Sequence, residues 1–363
     1  MAKQTILIAG ASGIVGRAAL EHFGALADWE VIGVSRSDPK VDVPFTHLSV
    51  DLTDKEACEA AFSDLSDVSH VVFAALYEKP GLIEGWRDPE QMQTNLAMLD
   101  NLYTPLSRAA RGLEHISLLQ GTKAYGAHIK PIRVPARESW PRDPHDNFYW
   151  LQEDYLRERE PDADWSWTIL RPQVIFGHAL GAPMNLIAAI GAYAAIRRAE
   201  GKPLSFPGGP PYVVEAVDAR LLARALEWAA VTPACGNEIF NITNGDVFCW
   251  PYVWPAICAA LGMEIGEPEP MLLHEEMPAK SALWDEMVKQ HNLQPNSLEQ
   301  LVGDSFYYAD FGFATGRDRS PPPALVSTIK ARQFGFDDCI DTEDMFRYWF
   351  QRLQQMKVLP PAE

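Results

Sequence analysis

A chain of 363 residues, 47% of them apolar, can bury a sizeable core in one large domain or one and a half ordinary ones. Its 49 acidic against 31 basic side chains leave a formal charge of -18, which argues against a nucleic-acid backbone or an anionic membrane as partner. The same charge means that any anionic cofactor must be held by a local positive site, because the global field repels it.

The chain opens on Gln4–Ala9, an apolar run that reads as a buried strand of a parallel sheet. It runs into Gly10-Ala11-Ser12-Gly13-Ile14-Val15-Gly16, three glycines spaced three apart, and then a helix from Arg17 to Phe23. Gly10 permits the tight turn, Gly13 lets backbone approach a phosphate, and Gly16 lets helix and strand pack closely. Free N–H groups at the helix start would hold a pyrophosphate. Strand two, Glu30 to Arg36, ends in Ser35 and Arg36 where an NAD-selective site carries an acidic residue. A hydroxyl and a guanidinium suit a 2′-phosphate, so NADP(H) is expected over NAD(H). Strand three, Thr46 to Val50, leads to Asp51 and Leu52, with Asp51 placed to accept from the adenine amino group. Asp54 reads as the cap of a helix from Lys55 to Phe62.

Strand four spans His70 to Leu76, and Ala75 at its end is small enough for the cofactor ribose to approach. A helix from Met92 to Ala110 carries Asn95, strand five is His115 to Leu119, and strand six is Trp167 to Leu170. Pro172 and Val174 follow it, where they would brace a nicotinamide carboxamide. Strands alternating with helices give a doubly wound Rossmann sheet over residues 1–180, with ligands outside the carboxyl ends of the strands. Residues 181–363 read as a smaller, mostly helical substrate-binding portion interleaved with that sheet: helices at 183–200, 218–230, 250–261, 281–291 and 342–353, one strand at 238–243, and Asn244-Gly245-Asp246 as a turn. The expected cofactor set is therefore Gly10, Ser12, Gly13, Ile14, Val15, Gly16, Ser35, Arg36, Asp51, Leu52, Ala75, Pro172 and Val174.

Cys58, Cys235, Cys249, Cys258 and Cys339 contain no C-x-x-C and fit a reducing cytosol, and the nine histidines lack ligand spacing, so no metal is expected. A strand within a few residues of Met1 leaves no room for a signal peptide, and the apolar stretch 184–197 is too short for a membrane span, so a cytoplasmic protein is expected.

Three glycines spaced three apart in this context resemble the short-chain dehydrogenase/reductase superfamily, which normally carries Tyr-x-x-x-Lys beside the nicotinamide. No tyrosine of this chain has a lysine four residues on. Two separate stretches could supply the pair: Lys123, in Gly121-Thr122-Lys123-Ala124-Tyr125-Gly126 after strand five, and Tyr149, in Asn147-Phe148-Tyr149-Trp150-Leu151-Gln152-Glu153-Asp154 before strand six. Glu153 stands where the lysine would normally be, and alone it would raise the phenol's pKa. Glu153 and Asp154 read as first-turn charges complementing a helix dipole.

These stretches, with Arg171-Pro172-x-x-Ile175-Phe176-Gly177, Met184-Asn185-Leu186, Asn241-x-Thr243-Asn244-Gly245-Asp246 and Gly335-Phe336, resemble the progesterone 5β-reductase/iridoid synthase-like family across nearly the whole chain. The resemblance implies atypical short-chain enzymes that reduce conjugated enones with NADPH, and Tyr149 and Lys123 as the catalytic pair. Ala124 and Phe73-Ala74-Ala75 depart from the family pattern near the expected substrate position, which bears on specificity more than on chemistry. The implied partner is a small-molecule enone, with no nucleic acid and no membrane; a homodimer is compatible with it. Two other readings stay open: an NAD(P)-dependent nucleotide-sugar epimerase or dehydratase, and a non-catalytic NADP-sensing module.

Overall fold

The computed structural model describes residues 3–82, 85–294 and 297–362. Its strands are β1 (Gln4–Ala9), β2 (Trp29–Ser35), β3 (Thr46–Ser49), β4 (His70–Phe73), β5 (His115–Leu119), β6 (Ser166–Pro172), β7 (Val174–Phe176), β8 (Ala216–Asp218) and β9 (Glu238–Ile242). The first helices are α1 (Ile14–Gly24), α2 (Lys55–Phe62), α3 (Pro89–Ala109), α4 (Phe148–Arg159), α5 (Leu186–Ala199), α6 (Ala219–Val231) and α7 (Trp250–Ala260). They are followed by α8 (Leu273–Glu276), α9 (Ser281–His291), α10 (Leu298–Val302), α11 (Ser305–Gly312), α12 (Ile329–Gln333) and α13 (Thr342–Gln355). The chain divides into two compact units: Met1–Gln173, Ala219–Ile242 and Val326–Asp338 form the first, and Val174–Asp218, Thr243–Leu325 and Cys339–Glu363 the second.

In the first unit seven parallel strands run in the order β3-β2-β1-β4-β5-β6-β9. Ile6, Leu7, Ile8 and Ala9 are fully buried, as an interior parallel strand covered on both faces requires. Helices α1 and α6 pack together on one face; α2, α3 and α4 cover the other, where Phe62, Leu99, Leu102, Leu106, Leu156 and Trp167 interlock. The strand order reverses between β1 and β4, and the crevice beyond their carboxyl ends is the ligand-binding position of such sheets. Strand β4 stops at Phe73, three residues earlier than the apolar run suggested. Ala74 still donates to the Ala9 carbonyl, after which the chain passes directly under Gly10; a Cβ on Gly10 would lie 2.7 Å from the Ala74 and Ala75 backbone. Asp54 caps α2 as expected, accepting from the Ala57 N–H.

His70 and His115 face each other in register on β4 and β5, their rings 6.4 Å apart and both buried. Burial pushes His70 down to about 4 and His115 down to about 3, so both are neutral in the folded chain at physiological pH. The unfolded chain takes up protons near pH 6.5 and the folded one only at 4 or below, so stability is full above pH 6.5 and is lost as pH falls. Each histidine then contributes about 1.4 kcal/mol of loss per pH unit in that window. Unfolding by urea at stepped pH should show this fall, and His115→Asn should flatten it.

In the second unit β7 and β8 pair in parallel. The apolar stretch of 184–197 is α5, buried from Leu186 to Arg197, and no described helix is long and apolar enough to cross a membrane. Phe176, Phe248, Trp250, Phe313 and Phe346 pack ring against ring, which makes these aromatics core. Asn244-Gly245-Asp246 is more than a turn. The Asn244 side chain accepts from the Asp218 N–H at 2.7 Å and donates to Thr342 Oγ1 at 3.2 Å, while Asp246 accepts from Thr342 N at 3.0 Å and Oγ1 at 2.6 Å. The stretch thereby ties the end of β8 to the start of α13.

Candidate active site

The turn after β1 is shaped by close packing. Gly10 adopts φ +81°, and its carbonyl accepts from Gly13 N at 2.9 Å. A Cβ on Gly16 would meet that same carbonyl oxygen at 2.1 Å, so only glycine fits. Gly13 is the N-cap of α1 and offers no side chain, which leaves the first-turn N–H groups to other acceptors. Ser12, Gly13 and Ile14 are partly exposed on the rim, while Val15 and Gly16 are buried. A helix start of this kind, with free first-turn N–H groups and no side-chain cap, is suited to an anion.

At the end of β2 the two expected phosphate ligands differ. The Ser35 hydroxyl is buried, donates to the Ser37 carbonyl at 2.7 Å and lies 3.2 Å from His47 Nε2, whereas Arg36 is exposed. Arg17 of α1 donates to the Pro39 and Lys40 carbonyls and so pins the loop that carries Arg36. Asp51 accepts from the Thr53 backbone and hydroxyl at 2.9 and 2.8 Å; these bonds hold its carboxyl below the usual range. Leu52 is buried beside it and Ala75 is partly exposed. Pro172 is the last residue of β6, whereas Val174 begins β7 in the second unit.

The tip of β5 gathers the candidate catalytic residues. Gly121 leads into a short 3-10 turn, Thr122–Tyr125, closed by Gly126 at φ +78°. Across from it, Asn147 caps α4 by accepting from the Tyr149 N–H at 3.0 Å. This orientation brings the Tyr149 hydroxyl to 3.4 Å from where a Gly121 Cβ would stand, with the Pro172 carbonyl 3.5 Å from the same point. The phenol therefore reaches the strand tip two residues before Lys123. The Lys123 amine lies 3.5 Å from the centre of the Trp86 ring, and burial lowers it to about 8 against the opposing field of Glu78. Tyr125, the aromatic in the same stretch, is structural: its hydroxyl donates to Asn241 Oδ1 at 2.7 Å, and Asn241 in turn donates to the Ala136 and Ser327 carbonyls.

Glu153 is not a first-turn charge. It sits in the middle of α4, 3% exposed, and receives Arg142 and Arg157 at 2.9 Å each and Gln120 at 3.0 Å, with Arg171 at 3.9 Å. Burial alone would raise its pKa, but the hydrogen bonds from Arg142 and Gln120 win and hold it below the usual carboxylate range. Its charge is thus matched within the helix packing. The Gln120 amide also approaches the Tyr149 carbonyl at 3.4 Å and accepts from Arg171 at 2.8 Å, stitching the strand tip to the helix that carries the phenol. Gln120, Arg142 and Arg171 were not legible as site residues, because their partners come from distant segments. Trp86, whose ring carries the Lys123 amine, lies in the stretch between strand four and its following helix, where the sequence singled out no site residue.

A family model described as a PRISE-like Rossmann-fold domain matches residues 45–360. The (S)-8-oxocitronellyl enol synthase of Catharanthus roseus is 30% identical over 99% of this chain and 93% of its own length. The 3-oxo-Δ(4,5)-steroid 5β-reductase of Arabidopsis thaliana is 31% identical over 98% of this chain and 92% of its own. Among solved structures, UDP-glucose 4-epimerase of Thermotoga maritima with UDP-glucose superposes with a TM-score of 0.67 over 97% of this chain and 99% of that one, at 18% identity. The Bordetella bronchiseptica enzyme WbmG in complex with NAD gives a TM-score of 0.64 over 99% and 96%, at 17% identity. These two show that the fold is shared.

Proposed function

From the premise that this chain belongs to the PRISE-like Rossmann-fold family, we propose that it is an NADPH-dependent reductase of the carbon–carbon double bond of α,β-unsaturated carbonyl compounds. The observation that carries this reading is the meeting of the Tyr149 hydroxyl with the β5 tip that leads into Lys123. The relatives supply the substrate class. One is named for a 3-oxo-Δ(4,5)-steroid, a ketone conjugated with its double bond, and another for an enol, the protonated form of the enolate that 1,4-reduction leaves.

The residues present fit a dinucleotide: a turn in which Gly10 and Gly16 leave no room for a Cβ, and a helix start without a side-chain cap. Gly10, Ser12, Gly13, Ile14, Val15 and Gly16 would hold the pyrophosphate. Arg36 would face the adenosine ribose, with Ser35 holding its own loop beneath it, Asp51 and Leu52 the adenine, and Ala75, Pro172 and Val174 the nicotinamide half. When bound, the reduced dinucleotide supplies a hydride to the β-carbon of the enone. Tyr149 donates a hydrogen bond to the carbonyl oxygen as negative charge collects there, and Lys123 adds positive potential. The oxygen need not be fully protonated, since the enolate can take its proton at the α-carbon. This is why the lysine can come from a strand tip while the ordinary lysine position holds Glu153.

Arg36 is proposed to read the 2′-phosphate. Arg36→Ala should raise KM for NADPH by about 10–100-fold, the worth of a hydrogen bond to a charged group, and leave KM for NADH within a few-fold. The reaction itself is tested with purified protein, NADPH and 2-cyclohexen-1-one, followed at the NADPH absorbance. Enone-dependent oxidation with formation of the saturated ketone is expected. NADPH binding without turnover would favour a sensing module, and activity confined to nucleotide sugars would favour an epimerase.

A further inference from the structure

The turn that carries Lys123 and the helix that carries Tyr149 meet on one loop, residues 141–147. Gly126 closes the turn, and its carbonyl accepts from the Ile129 and Lys130 N–H groups at 2.9 and 3.1 Å. A Cβ on Gly126 would stand 3.0 Å from the Asp143 carboxyl carbon, so the loop lies directly against the turn. The Lys130 amine reaches back to Asp143 Oδ2 at 2.7 Å. The other carboxylate oxygen, Oδ1, lies 3.0 Å from His145 Nδ1. On the far side of the same ring, His145 Nε2 lies 3.3 Å from Asn147 Nδ2. Asn147 Oδ1 then accepts the Tyr149 N–H at 3.0 Å. Hydrogen bonds thus run without a gap from Lys130 to the second residue of α4.

The direction of every bond follows from one end of the chain. A backbone N–H can only donate, so the oxygen of the Asn147 amide faces Tyr149 and its NH2 group faces the imidazole. That NH2 group can only donate, so Nε2 is the bare nitrogen and Nδ1 carries the proton. Asp143 completes the pattern as a charged acceptor. Burial would raise its carboxyl, but the hydrogen bonds from Lys130 and His145 hold it below the usual range. The ring has little room to turn. It is largely buried, packs edge-on against His128 at 5.1 Å and Trp150 at 6.0 Å, and its own carbonyl accepts from Trp150 Nε1 at 3.0 Å. We propose that His145 is a positioning residue for the reduction: as the Nδ1–H tautomer it ties the Asn147 cap, and with it the entry of Tyr149, to the turn that presents Lys123. The catalytic consequence rests on the enone-reductase reading; the bond pattern does not. A proton on Nε2 would set two donors face to face, and Asn147 would have to give up either His145 or the Tyr149 N–H.

The tautomer is read on the full-length, isotope-labelled protein by nitrogen NMR of the imidazole rings, with the His145 signals identified by their loss in His145→Gln. A bare Nε2 and a protonated Nδ1 are expected. Asn147→Asp keeps an acceptor for the Tyr149 N–H but offers Nε2 no donor, so there Nε2 should gain a proton; this needs no substrate and no His145 variant. The catalytic readout is kcat with 2-cyclohexen-1-one at saturating NADPH. In His145→Gln the amide oxygen stands near the former Nε2 and can still accept from Asn147. In His145→Asn the amide stands near the former Nδ1 and reaches only Asp143. Turnover should fall about 5–10-fold in His145→Asn, the worth of one cap hydrogen bond, and less than about threefold in His145→Gln. KM for NADPH should stay unchanged in both. A wild-type ring protonated on Nε2, or a ring pattern unmoved in Asn147→Asp, overturns the assignment, as do equal kcat losses in the two His145 variants. Absence of enone turnover in the wild type, with the ring pattern as expected, would instead remove the reductase reading and leave the bond chain standing.

Discussion

Tyr149→Phe is expected to lower enone turnover by about 10²–10³-fold while leaving NADPH affinity unchanged, because it removes one preorganised donor worth roughly 3–4 kcal/mol to the developing oxyanion. The substitution deletes a single oxygen. The ring stays packed edge-on against Phe148, and the cap of α4 is untouched, since Asn147 receives the Tyr149 backbone rather than its side chain. Single-turnover hydride transfer at saturating NADPH isolates the effect, and titration of NADPH fluorescence checks the affinity. A fall in rate of less than threefold would place the phenol outside the chemistry. Lys123→Met should lose less at pH 6.5 than Tyr149→Phe, as a source of field and not the hydrogen-bond donor.

The second large effect concerns stability. Glu153→Leu should lower the unfolding free energy by about 3–5 kcal/mol, the cost of stripping one partner from a buried ion pair. The carboxylate is 3% exposed and serves two arginines and a glutamine; Arg171, at 4% exposure, would lose this carboxylate and keep its bond to Gln120 and its aromatic neighbours Tyr125 and Trp150. Arg157 is 46% exposed on its own side of the pair, so Arg157→Gln should cost less than about 1 kcal/mol. Urea unfolding of the three proteins separates these outcomes, and equal losses would contradict the hub assignment. Glu153→Lys restores the usual tyrosine-to-lysine spacing, yet should unfold the chain rather than improve it, since the new ammonium would enter a cluster of three guanidiniums.

Much of the first unit could be read from local pattern. The Gln4–Ala9 run, the glycine spacing and the Asp54 cap are short-range signals, and each produced the element it announced. The Asn147 stretch likewise announced α4. Burial, however, is set by what arrives from elsewhere. Nothing near Glu153 in sequence tells that Arg142, Gln120 and Arg171 converge on it. Likewise the 244–246 stretch looks like punctuation until Asp218 and Thr342 are brought to it from 26 and 98 residues away. The same limit applied to Ser35, whose hydroxyl is taken up by its own loop and by His47 from β3.

The contact between Gly16 and the Gly10 carbonyl also has an evolutionary side. Because helix and strand jam there with no side chain between them, the contour of the phosphate receptor is settled by the polypeptide before any nucleotide arrives. A switch between phosphorylated and unphosphorylated dinucleotides therefore has little latitude in residues 10–16. On the proposed reading it would lie in the exposed rim after β2, which carries Arg36.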